Sequence, residues 1–462
     1  MEVKENNVVE SEFLTKKMTS LFWKYCLYSL GGIGFQAVAC IGNGIFVGNG
    51  IGPLGLASIS VIAPFWLISV GLWGMFGLGG SSLAAIKLGN GDVEGAKKVY
   101  ASTMIFVFLF CVIVDAIVLL NLDAVLTFMG ATPEILPMIR SYVFPWLFGH
   151  PFCIVASVAT FFAFVAERPR AVSFALNIPA IVSIALEYYF IFVMKTGLVG
   201  SAITWVIAVG CAIILVPYLQ LTNSVFKLNA SHLKINFSLV LESCKIGFVL
   251  FILQVAAIVS TIMINNLIIS NGGTELDLAS YAILNAYVAY ILIVLTQCFT
   301  SAIQPIASYN LGAGKYSRMA DVIKIGMVQG SLIVLAILTF EFLMSDHIIG
   351  FFAGGFVPLV EATKATMMIM LPLFAFGNLA AIVSGYFAAT KNIKLATLNG
   401  VTKSFVFLVP LLLILPNFFG LKGVWLAMPG SDLLAFIVAL ICVVREYKKL
   451  RSMQNMESNL TI

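Results

Sequence analysis

The residues able to do chemistry are few, and they sit where they are expensive to keep. Long apolar runs enclose Glu187, Asp115, His150 and Asp432, together with Lys24 and Lys403. A charge inside hydrocarbon costs ~2.5–3.5 kcal/mol or more, so an ionisable group there is a candidate to bind a proton or cation in one state and release it in another. Glu187 leads. It stands one helical turn after Ser183, on the same face. An apolar surround disfavours the charged form of a carboxyl, which is the condition for loading and unloading a proton. The competing reading is a structural acid with a buried partner. His150, between Gly149 and Pro151, is of the type that titrates near neutral pH, or else a hydrogen-bonded structural residue. Asp115 lies within about two turns of a span end and is expected to snorkel to the interface. Lys24 and Lys403 are expected to snorkel likewise. Asp432, after Pro429 and Gly430, divides evenly between lining a cavity and bonding local backbone.

The elements that must hold these groups follow from composition. Of 462 residues 61% are apolar and 10% charged, with mean hydropathy +1.04. Soluble domains carry about 25% charged residues, so that class is excluded, as are disordered and disulfide-scaffold chains. At about 20 core residues per crossing, the length fits roughly a dozen membrane helices. The apolar runs are unbroken and do not alternate in short segments, which argues against a barrel. Met1 to Lys17 is polar and the first apolar run is too long for a signal peptide, so no cleaved leader is expected. The eight cysteines lie in or beside apolar runs and read as small buried hydrophobes.

Hydropathy and Gly/Pro punctuation predict spans over 22–48, 55–87, 98–121, 135–163, 171–194 and 198–221, then 244–270, 277–310, 319–345, 358–389, 395–416 and 421–444. With the N-terminus inside, 20 of the 26 Lys and Arg fall in inner segments and only Arg140, Lys195, Lys364 and Lys422 in outer ones. By the positive-inside rule both termini are expected in the cytoplasm, in a protein of the plasma or inner membrane.

The chain also repeats itself. Asn43-Gly-Ile-Phe-Val-Gly-Asn-Gly50 recurs at Asn265 to Gly272, 222 residues on, and Leu56-Ala-Ser58 recurs at Leu278-Ala-Ser280 at the same offset. Leu88-Gly-Asn-Gly91 matches Leu311-Gly-Ala-Gly314, and Gly197-Leu-Val-Gly200 matches Gly420-Leu-Lys-Gly423, both 223 residues on. Six crossings return the chain to its starting side, so these are parallel repeats. The expected division is an N-terminal tail (1–21), a six-helix half (22–221), a linker (222–243), a second half (244–444) and a tail (445–462). Two pseudo-symmetric bundles around a central cavity form a carrier architecture, able to rock between two openings.

Here the residues resemble the multidrug and toxic compound extrusion (MATE) transporters, bacterial type, from about Trp23 to Val444. The most specific pieces are Gln304-Pro-Ile-Ala-Ser-Tyr-Asn-Leu-Gly-Ala-Gly-Lys315 with Arg318, and Gly79-Gly-Ser-Ser-Leu with Leu88-Gly-Asn-Gly-Asp92. Leu186-Glu-Tyr-Tyr-Phe-Ile-Phe192 followed by Gly197-Leu-Val-Gly-Ser-Ala202 is similar to the family's fifth-to-sixth helix signature. Gly420-Leu-Lys-Gly-Val-Trp-Leu-Ala427, with Pro429 and Asp432, is similar to its counterpart in the second half. The resemblance implies an antiporter that expels amphipathic and cationic organic compounds in exchange for H⁺ or Na⁺, without ATP and without a bound cofactor.

The family carries an Asn and an Asp four apart on the fifth helix and another Asp on the first. The matching positions here read Ser183, Glu187 and Asn43, and a sixth-helix threonine falls at Trp205, with Thr204 beside it. The resemblance therefore implies a cation-coupling set of Glu187, Asn43, Ser183 and Thr204. It keeps one ionisable group, which takes a proton or holds Na⁺ through oxygens. Asp115, His150 and Asp432 are weaker candidates. The second half offers only Gln254, Asn265 and Asn266 on its seventh span and Glu361 near the outer end of its tenth, so it reads as nearly acid-free and coupling is expected in the first half.

Pro179, eight residues before Glu187, is the expected hinge, and Pro145 and Pro372 hold similar places in the two halves. Aromatic residues are 12% of the chain and suit flat cations, although sequence alone does not sort Phe161, Tyr188 or Tyr189 between cavity and lipid. Gly312-Ala-Gly-Lys315 fails as a phosphate loop because Tyr316 stands where Ser or Thr is needed. No nucleophile or metal constellation stands out, so an enzyme is not expected. The expected partners are small organic cations and membrane lipid, with no nucleic acid, and the chain is expected to be a monomer. Two alternatives stay open: a flippase or exporter of a lipid-linked or polar metabolite, and a non-transporting membrane scaffold.

Overall fold

In hydrocarbon only a helix satisfies its own backbone groups, and each apolar run takes that form. The computed structural model describes residues 11–51, 53–129, 133, 135–222, 225–229, 232, 234–353 and 357–460. The first half holds α1 (Met18–Gly50), α2 (Pro53–Gly89), α3 (Val93–Leu120), α4 (Leu136–Val165), α5 (Pro169–Tyr188) and α6 (Leu198–Leu221). The second holds α7 (Phe237–Ser270), α8 (Glu275–Ile283 continuing to Gly312), α9 (Tyr316–Leu343), α10 (Val357–Met370 and Phe374–Ala389), α11 (Ile393–Phe419) and α12 (Leu421–Leu460). These are twelve spans of an all-helical integral membrane protein, counting the bent α10 as one. Short helices Leu122–Phe128 and Ser345–Phe352 follow α3 and α9, repeating the two-half pattern.

Some boundaries differ from the hydropathy reading. α7 starts at Phe237, inside the stretch read as linker, because the Asn236 side chain accepts from the Ser238 and Leu239 amides and caps the helix. α12 runs to Leu460, through the stretch read as a tail. Residues 1–10 of the first tail, 461–462 of the last, and 223, 224, 230, 231 and 233 of the linker lie outside the described residues. The expected hinge and the broken span are different places. α5 passes Pro179 without a break, and the sharp bend, 55°, lies in α10 around Pro372. α5 instead widens into a π turn at Tyr189–Val193, directly after the helix that bears Glu187, and α11 widens at Thr402–Leu408. Such turns leave the regular bonding pattern and recur at functional sites.

The halves meet where α2 crosses α7 and α8, and where α1 lies against α8. The approach is backbone to backbone. A methyl on Gly79 would lie 1.9 Å from the Ser243 carbonyl oxygen, and one on Gly247 1.9 Å from that of Met75. Gly89 and Gly312, equivalent in the repeat, face each other as closely: added methyls would reach the carbonyls of Tyr309 and Ile86 at 2.1 and 2.0 Å. The repeated Leu-Gly motif is thus a crossing point, built on residues small enough to let helices touch. Gln304 on α8 adds polar closure, donating to Ser81 (2.5 Å) and Ser82 (3.3 Å) of α2.

At the end that carries the termini, one apolar core runs through both halves, from Leu21 and Phe162 to Phe299 and Phe387. At the far end the cores are separate. Ile62, Leu126, Ile139 and Trp146 form one in the first half, while Ile264, Tyr281, Leu292 and Trp425 form one in the second. The bundles are therefore tied at the terminal end. The short helix Glu12–Thr15 tightens that end. Phe13 is fully buried between Tyr25 of α1 and Tyr309 of α8, with ring centroids 5.5 and 5.3 Å away. Its carbonyl accepts from Asn310 (3.1 Å) and Arg318 (3.0 Å) of the second half, while Ser11 donates to Glu167 of the first. Lys24, expected to snorkel, pairs there with Glu12 at 2.6 Å.

Candidate functional site

Three helices bring a carboxyl and its donors together near the far end of the first half. Glu187, six residues before the end of the α5 π turn, is 3% exposed. Asn43 of α1 donates through its side-chain amide to Glu187 Oε1, and the same amide lies 2.9 Å from Ser201 Oγ of α6. Ser201 in turn donates to Glu187 Oε1 at 2.7 Å. Among the described residues the carboxyl is thus held only by neutral donors, so its charge can change without leaving an opposite charge stranded. Packing fixes the geometry: Val47, Ile191 and Leu198 form a small apolar core beside it, joining the same three helices.

Asn43 and Glu187 therefore meet, while the other two members of the expected set do not join them. Ser183 turns its hydroxyl back to the Ala180 carbonyl at 2.9 Å, a local bond that its helix position makes easy. Thr204 is 1% exposed and its hydroxyl has no hydrogen-bond partner among the described residues. Trp205 beside it packs on Trp146, with centroids 5.5 Å apart. Ser201 is the member the sequence reading missed. The signal was present in Gly197-Leu-Val-Gly-Ser-Ala202, whose serine stands one turn before Trp205.

In the second half the chemistry is of another kind. Asp432 of α12 is fully buried and pairs with Lys403 of the α11 π turn at 2.7 Å. Lys403 also lies 5.0 Å over the Phe374 ring, just past the bend of α10. Gly377 makes room, since a methyl there would sit 1.9 Å from Asp432 Oδ1. Lys403 thus does not snorkel; a buried acid nearby fixes it more firmly than a distant interface does.

The comparisons with known proteins decide the family. The MatE family model matches residues 35–189 and 246–414, most of both halves. The chain belongs to the MatE family. The MatE chain is 25% identical to the multidrug export protein MepA of Staphylococcus aureus (strain NCTC 8325 / PS 47) over 389 residues, 84% of this chain and 85% of that one. It is 24% identical to MepA of Staphylococcus saprophyticus, with the same coverage. Its fold is that of solved MATE transporters. A structure described as the outward-facing conformation of a multidrug resistance MATE family transporter of the MOP superfamily aligns with TM-score 0.86 at 19% identity, over 95% of this chain and 98% of that one. A MOP superfamily transporter from Pyrococcus furiosus, described as having reversed binding-pocket polarity, aligns with TM-score 0.88 at 18% identity, over 95% and 98%.

Two further expectations for this MatE chain need correction. The second half is not nearly acid-free: besides Asp432, Glu341 of α9 is 1% exposed, and neither of its oxygens has a hydrogen-bond partner among the described residues. It sits three residues before the end of a long apolar run, at Met344, where hydropathy averaging hides a single acid. Asp115 does not snorkel either. It is 7% exposed and bonds His150 Nδ1 at 2.8 Å, because α4 offers a partner closer than the interface.

Proposed function

We propose that this MatE protein is a secondary active exporter of amphipathic, cationic organic compounds, driven by proton exchange at Glu187. The observation that carries the reading is the Asn43–Glu187–Ser201 cluster, a buried carboxyl of α5 held by neutral donors on α1 and α6 of the same half. A proton suits it better than Na⁺. Asn43 presents amide hydrogens, and a hard cation needs a shell of oxygens. The relatives named as multidrug export proteins support the substrate class. Protonation removes the charge that the Asn43 and Ser201 donors face, which weakens the link from α5 to α1 and α6. A cationic substrate favours the opposite, ionised state. The two ligands thus compete through one charge, and the halves, tied at the terminal end, rock to exchange them. With both termini in the cytoplasm, the far end faces outward.

The test is transport of a dye cation in proteoliposomes under an imposed pH or Na⁺ gradient. The pH gradient should drive wild type and fail with Glu187→Gln. Equal gradient-driven transport by both proteins would overturn the assignment, and drive by Na⁺ alone would replace the proton.

A further inference from the structure

We propose that Asp115, His150 and Ser69 form a second proton-binding site in the first half, at which one proton shared by the Asp115–His150 pair is gained and lost as the Ser69 hydroxyl reverses. The three residues come from α3, α4 and α2. His150 is 4% exposed, Asp115 7% and Ser69 2%. His150 Nδ1 lies 2.8 and 3.1 Å from the two Asp115 oxygens, and Nε2 lies 2.9 Å from Ser69 Oγ. Ser69 Oγ is also 2.8 Å from the Phe65 carbonyl oxygen.

Donor and acceptor accounting gives this cluster two complete states. Ser69 has one hydroxyl hydrogen and two neighbours able to accept it. When that hydrogen goes to Phe65, Ser69 Oγ accepts from the His150 Nε2–H, and the contact between Nδ1 and the carboxyl needs a further proton. The Asp115–His150 pair then holds that proton and is neutral overall. When the proton on Nε2 leaves, Nδ1–H still donates to Asp115 and the Ser69 hydroxyl turns to donate to Nε2. The pair is then negative by one. Phe65 keeps its helical bond from the Ser69 amide in both states. Each state satisfies every polar atom of the triad, which is what reversible protonation in hydrocarbon requires and a purely structural triad does not.

The surroundings favour this use. Trp146, one turn before His150 on α4, stacks on the imidazole with centroids 4.4 Å apart and planes 25° apart, an arrangement that attracts a charged ring. Among the neighbouring elements, α3 brings Cys111 one turn from Asp115, and α4 itself carries Cys153 and Tyr142. The short helix Leu122–Phe128 carries Asp123, which is engaged with Arg140 at 3.3 Å. α5 carries Glu187, held by Asn43 and Ser201, while α6 presents the uncharged Trp205. A path to the first site exists. Trp146 packs on Trp205, Trp205 stands one turn after Ser201, and Ser201 donates to Glu187. A role in exchange rests on the proposed proton coupling; the existence of the site does not.

The chain has three histidines, so nuclear magnetic resonance of imidazole-¹⁵N-labelled protein in liposomes can read His150 alone in a His232→Gln, His347→Gln background. On raising the pH, the His150 signals should pass from both nitrogens protonated, or a proton shared with Asp115, to a single Nδ1–H tautomer. Adding tetraphenylphosphonium should move that transition by about one pH unit, a tenfold change in proton affinity. The same transition should survive in Glu187→Gln, which separates this site from the first. One unchanging tautomer across the pH range in which the protein stays folded would overturn the site, and a transition indifferent to substrate would overturn its role in exchange. Ser69→Ala supplies the second arm: it should displace the pH profile of transport, whereas a structural role would lower thermal stability and leave that profile in place.

Discussion

The two halves have the same helices and opposite chemistry. In the first, Glu187 faces an amide and a hydroxyl, and Asp115 faces an imidazole and, through it, a second hydroxyl. In the second, Asp432 faces an ammonium. An acid among neutral donors can change charge at modest cost, whereas an acid paired with lysine cannot do so without leaving that lysine, here partly exposed, without its partner. Repeated architecture therefore does not mean repeated function. Each acid site lies beside or on the π turn of an equivalent helix, α5 or α11, yet the acid faces neutral donors in the first half and an ammonium in the second.

The largest expected effect separates the halves outright. Glu187→Gln should lower pH-driven transport by about a hundredfold, since a proton site without its acid cannot couple; Asp432→Asn should keep its dependence on the gradient. Equal loss of gradient dependence in both would erase the contrast. Stability should show the reverse pattern. Asp432→Asn leaves Lys403 without its partner and should cost about 2–4 kcal/mol, less than for a fully enclosed pair because Lys403 is partly exposed. Asp432→Leu combined with Lys403→Met should recover most of it in thermal unfolding.

Within the first half, Ser201→Ala removes a donor to a carboxylate, worth about 1.5–3 kcal/mol, and should cut transport by roughly tenfold. Ser183→Ala, whose hydroxyl bonds its own helix, should stay within about twofold, and equal effects would restore the family-derived set in place of the observed cluster. In the second half, Glu341→Leu should raise stability by about 1–2 kcal/mol, because it replaces an unpartnered buried carboxyl with an apolar group.

The smallest effect lies in the first turn of α3, ahead of the apolar run that begins at residue 98. The Lys97 ammonium, then His232, holds the Glu94 carboxyl down at about 2. Folding favours the ionised form, so this contribution is complete above the ordinary value of 4.5 and is lost as pH falls toward about 2. Hydrogen exchange near His232 should accelerate over that window, with no matching change around Glu187.

Much of this was legible in the sequence because the membrane leaves few choices. Twelve apolar runs and the isolation of Glu187 follow from what hydrocarbon excludes, and the repeat at 222–223 residues is read directly from matching residues. Partners were harder. Asn43 reaches Glu187 across 144 residues and Asp115 reaches His150 across 35, distances at which helical periodicity carries no information. Snorkelling was the wrong expectation for Asp115 and Lys403 for the same reason, since it assumes that no partner is nearer than the interface. Ser183 looked right because it shares a helix face with Glu187, yet the hydroxyl preferred its own carbonyl. Pro179 looked like a hinge, and α5 runs through it unbroken, while the broken span is α10, around Pro372.

The central claim is that Glu187 carries a proton that a cationic substrate displaces. Proton release into weakly buffered solution on adding tetraphenylphosphonium to the purified protein tests it directly, with wild type, Glu187→Gln and Asp432→Asn side by side. The account predicts release from wild type and Asp432→Asn, and about one proton fewer from Glu187→Gln. Release from Glu187→Gln equal to that of wild type would contradict it.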